Sequence, residues 1–277
     1  MYGNVAFTDI ARNIRETGAD GADLAMTAAA PYNSPKTLAK IDVKGILERE
    51  NLRTYCTTLQ YNRPDVDLSH PDISIRQAGL DFAFRGLDVT SKAGCDRMML
   101  TPSWFSVKRE LHGTYEEDFA RGAESVAIIA DEAKKHRILI LVEPINRFRN
   151  ALINTIADAH RLITTTGRDI GIIADTYHMN MEEEQSVAST ILTTGDRLGC
   201  LHIGENNRKP PGFGSLDWKS IILALQAVNF DGPLSHEPVF RNFDENRIAT
   251  DPAFHKHFQD MLTHGIKTLN LIMDSIL

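Results

Sequence analysis

Short apolar runs alternate with longer stretches of helical periodicity along almost the whole chain, and no pattern in the sequence restricts the fold more. Seven runs read as strands: Ala22–Met26, Leu52–Thr57, Arg97–Thr101, Ile138–Glu143, Ile170–Asp175, Gly199–Ile203 and Pro233–Glu237. Several are apolar throughout, as a strand covered on both faces must be. Between them the apolar positions recur at helical spacing, over Ile73–Ala93, Thr114–His136 and Trp218–Val228. Thr8–Thr17 and Phe254–Ile276 give two further helices at the ends. Strand and helix in alternation specify repeated βα units and a parallel sheet.

The 277 residues suit one barrel domain of about 250 residues. The architecture expected is a single closed (β/α)8 barrel over 1–277, with the first strand short or partly missing. Either Met1–Phe7 supplies that strand, against the poor strand propensity of Gly3 and Asn4, or the strand begins upstream. An open doubly wound sheet ranks second, because no glycine-rich phosphate loop follows any strand.

Composition narrows the function. Thirty basic against 37 acidic side chains leave a net charge of −7, which argues against a dedicated nucleic-acid binder. No apolar run approaches the ~18 residues of a membrane helix. Cys56, Cys95 and Cys200 are scattered, with no CxxC pair, so neither a disulfide framework nor a cysteine zinc cage is expected. The start of the chain lacks a basic head and apolar core of the signal-peptide kind. The expectation is a cytoplasmic protein with no membrane and no nucleic-acid partner.

The chemistry lies at the ends of the late strands. Glu143 ends one, Asp175 the next, His202 lies in the third and Glu237 ends the fourth, at separations of 32, 27 and 35 residues. Each interval is about one βα unit, so four successive strands deliver a carboxylate or an imidazole to one end of the sheet. In a (β/α)8 barrel that C-terminal end carries the active site. Three carboxylates and one imidazole form a ligand set for Mn²⁺, Mg²⁺ or Co²⁺, with Zn²⁺ also possible. Without a cation, three converging carboxylates repel one another.

Glu143-Pro-Ile-Asn-Arg-Phe148, Asp175-Thr-Tyr-His178, His202-Ile-Gly-Glu-Asn-Asn-Arg208 and Glu237-Pro238 together resemble the ketose 3-epimerase branch of the xylose isomerase-like TIM barrels. The match runs from Ile138 to Val239; elsewhere only the βα rhythm agrees. The resemblance implies one divalent metal, Mn²⁺ first and Co²⁺ next, held by Glu143, Asp175, His202 and Glu237. It implies that Glu143 and Glu237 remove and return the C3 proton of a ketose through a cis-enediolate stabilised by the metal. It also implies substrate contacts from His178 and Arg208, and a homo-oligomer, dimer or tetramer.

One position departs from that pattern. Where the sugar epimerases carry a second glutamate six residues after the first, this chain has Arg149. An arginine there suits a substrate bearing a carboxylate, phosphate or other electron-rich group. Glu205 and Arg208, in the Pro- and Gly-rich segment after His202, are expected to face the site, with Lys209 solvated. Trp104 and Phe105 are candidates for an apolar wall, and Tyr32 and Asn33 for pocket lining. His236 precedes Glu237 on a strand and should point to the opposite face. His70 and His112 fall in loops after earlier strands. The multi-metal endonucleases of this barrel have an Asp-x-His pair after the seventh strand; here that stretch reads Gly214-Ser-Leu-Asp-Trp218. The leading expectation is a metal-dependent C3 epimerase of a small ketose. Aldose–ketose or hydroxypyruvate-type isomerases and inosose dehydratases remain alternatives, and a metallo-endonuclease ranks lower.

Overall fold

The computed structural model describes residues 5–106 and 110–276. Among these, seven parallel strands form one sheet in chain order: β1 (Gly21–Thr27), β2 (Arg53–Gln60), β3 (Arg97–Leu100), β4 (Leu139–Val142), β5 (Gly171–Asp175), β6 (Leu198–Ile203) and β7 (Leu234–His236). Each matches an expected run, shifted at its ends. Helices connect them, the longest being Ile73–Lys92, Tyr115–Lys135 and Pro252–Ile276. Two open on capping boxes, Thr114 with Glu117 and Thr155 with Asp158, in which side chain and backbone satisfy each other's first-turn donors.

The curled sheet stays unpaired between β1 and β7 among the described residues. Residues 1–4 of the expected first strand lie outside the description. Its last residue, Phe7, instead opens the helix Phe7–Glu16. Phe7, Ile10, Ala11 and Ile14 share one face of that helix, and this burial outweighs the strand propensity of Val5 and Phe7. A cavity of about 1070 Å³ lies along the open seam, lined by β1 and β7 and by residues of the first and last helices.

Inside the barrel, Cys56, Met99, Leu141, Ile173 and Cys200 pack into one buried apolar layer. Side chains two residues further along a strand face the same way. Leu141 therefore predicts the direction of Glu143, Ile173 that of Asp175, and Cys200 that of His202. The last of these depends on a bulge. Ile172 pairs with Leu198, but Ile173 pairs with Cys200, so β6 carries one extra residue at Gly199. A Cβ on Gly199 would stand 2.5 Å from Leu141 Cδ2. The bulge brings His202 opposite Asp175.

Candidate active site

Four groups meet on the layer above that floor. One donor atom each from Glu143, Asp175, His202 and Glu237 lies within 4.8 Å of every other. Glu143 follows β4, and Glu237 follows β7, its N–H donating to the Ile203 carbonyl at 3.2 Å. Asp175 ends β5 and caps the helix Thr176–Glu182: Oδ1 accepts from the backbone N–H groups of Tyr177 (2.8 Å) and His178 (3.2 Å). Its other oxygen, Oδ2, is left for the cluster. His202 Nδ1 lies 2.9 Å from Glu143 Oε1 and 3.4 Å from Glu237 Oε2.

Arg208 closes the group. Its guanidinium donates to Asp175 Oδ2 at 2.6 Å and to Glu237 Oε2 at 2.8 Å, and lies 4.7 Å from the centre of the Tyr177 ring. The residue holds φ at 61°, a left-handed backbone that a non-glycine residue seldom adopts. Such local strain is found where surrounding contacts over-determine a functional side chain. Here the Glu205–Arg208 turn and the Val239 N–H on the Arg208 carbonyl (3.1 Å) hold it.

Burial and charge set the protonation of these groups. Burial pushes Glu143 above the ordinary carboxylate range, with Glu237 and Asp175 adding to it against the pull of His202. Burial would raise Glu237 too, but Arg208 and His202 hold it well below that range. Burial disfavours the His202 cation, yet Glu143, Asp23 and Glu237 raise it well above the usual histidine value. His178 is lowered to about 4 by burial. The Asn146 amide donates to His178 Nδ1 at 2.8 Å, so the neutral ring carries its proton on Nε2. Asn146 is oriented in turn by the Phe148 N–H on its Oδ1 (3.1 Å). Three carboxylates against one guanidinium and one imidazole leave an anionic pocket of oxygen and nitrogen donors, which fits a divalent cation.

The other residues singled out in the sequence take several places. Glu205 is fully buried but does not face the cluster. Its carboxylate accepts from Gly212 N–H (2.8 Å), Leu216 N–H (3.0 Å) and Trp218 Nε1–H (2.8 Å), so it organises the loop that carries Arg208. Arg149 is exposed on the turn after β4, its guanidinium 5.7 Å from the Phe105 ring centre. Trp104 is half-buried against the core; its backbone N–H donates to Asp67 Oδ1 at 3.1 Å. Tyr32 and Asn33 line the seam cavity, and the Tyr32 hydroxyl donates to Glu245 at 2.5 Å. His236 packs towards Gly265 on the last helix, on the face away from the cluster. His70 and His112 meet edge to face, ring centres 4.2 Å apart, near Asp67 and away from the four-residue cluster. Asn146 stands inside the Glu143–Phe148 motif, where no role was expected of it, and Asp23 lies within a strand, away from the strand ends.

A parallel barrel with a carboxylate–imidazole cluster at the C-terminal ends of its strands defines a class of (β/α) barrels built around a metal-competent centre. The chain belongs to the xylose isomerase-like TIM barrel family, whose model matches residues 11–257. It is 34% identical over 174 residues to the D-psicose 3-epimerase of Agrobacterium fabrum, covering 62% of this chain and 60% of that protein. It is 28% identical to the L-ribulose 3-epimerase of Mesorhizobium japonicum over 276 residues, covering 95% and 90% of the two chains. A crystal structure of a D-psicose 3-epimerase in the presence of D-fructose superimposes with a TM-score of 0.83 at 25% identity, covering 97% of this chain and 94% of that one. The match to the Agrobacterium protein thus spans about three-fifths of its length.

Proposed function

We propose that the chain is a divalent-metal-dependent epimerase that inverts C3 of a small ketose. The observation that carries this reading is the convergence of Glu143, Asp175, His202 and Glu237, with Arg208 across two of them, at the strand ends of a barrel related to ketose 3-epimerases. A divalent metal, Mn²⁺ as the leading candidate with Co²⁺, Mg²⁺ and Zn²⁺ behind it, would be held by Glu143, Asp175, His202 and Glu237 and would supply Lewis-acid charge to the reaction. Glu143 and Glu237 are the acid–base pair. One takes the C3 proton, made acidic by the neighbouring C2 carbonyl, and the other returns a proton to the opposite face. Which acts first depends on the configuration of the sugar. Positioned groups of this kind contribute about 10²–10⁴ in rate each. His178, neutral and presenting Nε2–H, donates to a substrate oxygen without adding charge. Arg208 aligns Asp175 and Glu237 and binds the same end of the sugar.

A homo-oligomer, dimer or tetramer, is part of the same proposal. No helix among the described residues is long and apolar enough to cross a membrane, in keeping with a cytoplasmic enzyme and a small-molecule sugar as partner.

The test is an assay of the Mn²⁺-loaded protein in D₂O against neutral and acidic ketoses, followed by NMR. Deuterium at C3 in the inverted sugar is expected. Label at C1 or C2 with an aldose product would replace the reading by an isomerase, and loss of water by a dehydratase. Absence of exchange in every substrate would overturn it.

A further inference from the structure

Below the cluster, on the far side of the His202 ring, lies a fourth carboxylate. Asp23 stands in the middle of β1, and β2 bulges opposite it: Ala22 pairs with Thr54, but Leu24 pairs with Thr57. The extra residue frees the Cys56 N–H from the ladder, and that N–H donates to Asp23 Oδ1 at 3.1 Å. The contact fixes the carboxylate. Its other oxygen, Oδ2, is buried, has no hydrogen-bond partner, and lies 3.7 Å from His202 Nε2. A buried carboxylate oxygen without a donor is costly, which marks its placement as functional rather than incidental. Across the same ring, Nδ1 faces Glu143 and Glu237.

We infer that Asp23 is a positioning residue: its Oδ2, 3.7 Å from Nε2, attracts the Nε2–H of His202 by charge and takes it as a hydrogen bond when the cluster is filled, which fixes the tautomer and turns the Nδ1 lone pair towards the metal cluster. The inference rests on the metal-centre reading above and deepens it. The two nitrogens of an imidazole are linked, since a proton held on one leaves the other as the ligand. A carboxylate behind a ligating histidine also raises its basicity and fixes the plane of the ring. The bulge in β2 is the element that makes this possible. Among the described residues the Cys56 N–H is the hydrogen-bond donor that holds Asp23 against the repulsion of the carboxylates beyond the ring.

The test uses the full chain, stripped of metal and titrated with Mn²⁺, the free ion being followed by electron paramagnetic resonance. Asp23→Ala is expected to weaken Mn²⁺ binding about 10–100-fold, the range seen when such outer partners are removed. Asp23→Asn keeps an oxygen for the Cys56 N–H and should fall between the two, which separates positioning from a fault in folding. On a His202→Ala background, Asp23→Ala should add no further loss. In the wild type with Mg²⁺ bound, long-range ¹H–¹⁵N spectra of His202 should show the proton on Nε2. An unchanged Mn²⁺ affinity in both variants, an additive loss on the His202→Ala background, or a proton on Nδ1 would overturn the inference while leaving the metal centre standing. A wild-type chain that binds no Mn²⁺ would overturn the metal-centre reading and this inference with it.

Discussion

At the residue scale, Glu143 and Glu237 differ although both are carboxylates at strand ends: Glu143 is buried, whereas the Glu237 side chain is 32% exposed. Among the described residues Glu143 faces the His202 imidazole alone as a positive partner at short range, whereas Glu237 has the Arg208 guanidinium at 2.8 Å as well. On the proposed reading, Glu143→Gln and Glu237→Gln should each lower kcat by at least about 10³, with circular dichroism unchanged, because a neutral amide neither carries the proton nor holds a cation as a carboxylate would. Arg149 raises a question of specificity rather than rate. It lies on an exposed turn over Phe105, at the position where the resemblance led to the expectation of a glutamate. If it recognises an anionic substituent, the wild type will prefer acidic keto-sugars in a kcat/KM panel, and Arg149→Glu will shift the preference towards neutral ketohexoses. A wild type that prefers neutral sugars, unaltered by the substitution, would remove Arg149 from recognition.

At the element scale, the segment between β6 and the helix Trp218–Ala227 is the device that presents Arg208. Glu205 anchors it with three accepted hydrogen bonds, all from donors in the same segment or at the start of the following helix. Glu205→Gln places an NH₂ against at least one of those donors. The loss of a buried acceptor costs about 1–3 kcal/mol. The expected signature is a lower thermal midpoint together with a raised KM, since a loosened loop misplaces the Arg208 fork. A change in stability with KM untouched would mean that the loop and the site are uncoupled. The bulges act at the same scale. The extra residue at Gly199 sets His202 opposite Asp175, and the one in β2 frees the N–H that holds Asp23.

At the scale of the whole molecule, stability depends on what occupies the cluster and on pH. A ligand that binds only the native state at 100 times its Kd adds about 2.7 kcal/mol. Mn²⁺ should therefore raise the thermal midpoint at a stoichiometry of one, and a chelator should reverse the gain; a shift saturating at two or more ions would favour a multi-metal centre. His236 supplies the pH dependence away from the cluster. Burial lowers it to about 4, and its Nδ1 is buried without a partner. Between the ordinary histidine value near 6.5 and about 4, the unfolded chain binds a proton that the native chain does not. The contribution is complete above 6.5 and is lost as pH falls through that window. Metal-free protein should lose stability from pH 7 to 5 at up to about 1 kcal/mol per pH unit more than His236→Gln. Parallel pH profiles of the two would show that His236 is not the group responsible.

The repeating units were legible along the chain because alternation of apolar runs with helical spacing is a local property, and all seven expected strands are present in order. The cluster was legible for a related reason: in a parallel barrel every strand ends on the same face, so a carboxylate or imidazole at four successive strand ends has one place to go. Local pattern could not show which way Glu205 turns, since a buried carboxylate goes to whichever donors the folded loop brings closest. Nor could it show that Phe7 belongs to a helix, because the face it shares with Ile10 and Ile14 is stabilised only against the packed barrel. Asp23 is the clearest case. Its residue type and strand position are written in the chain, but its contact with His202 requires a bulge in β2, the curl of the sheet and a second bulge in β6. The sequence by itself determined the strands and the residues at their ends, through short-range periodicity; tertiary structure alone decided which buried polar groups face one another, because register and curvature are set by contacts between residues far apart in the chain.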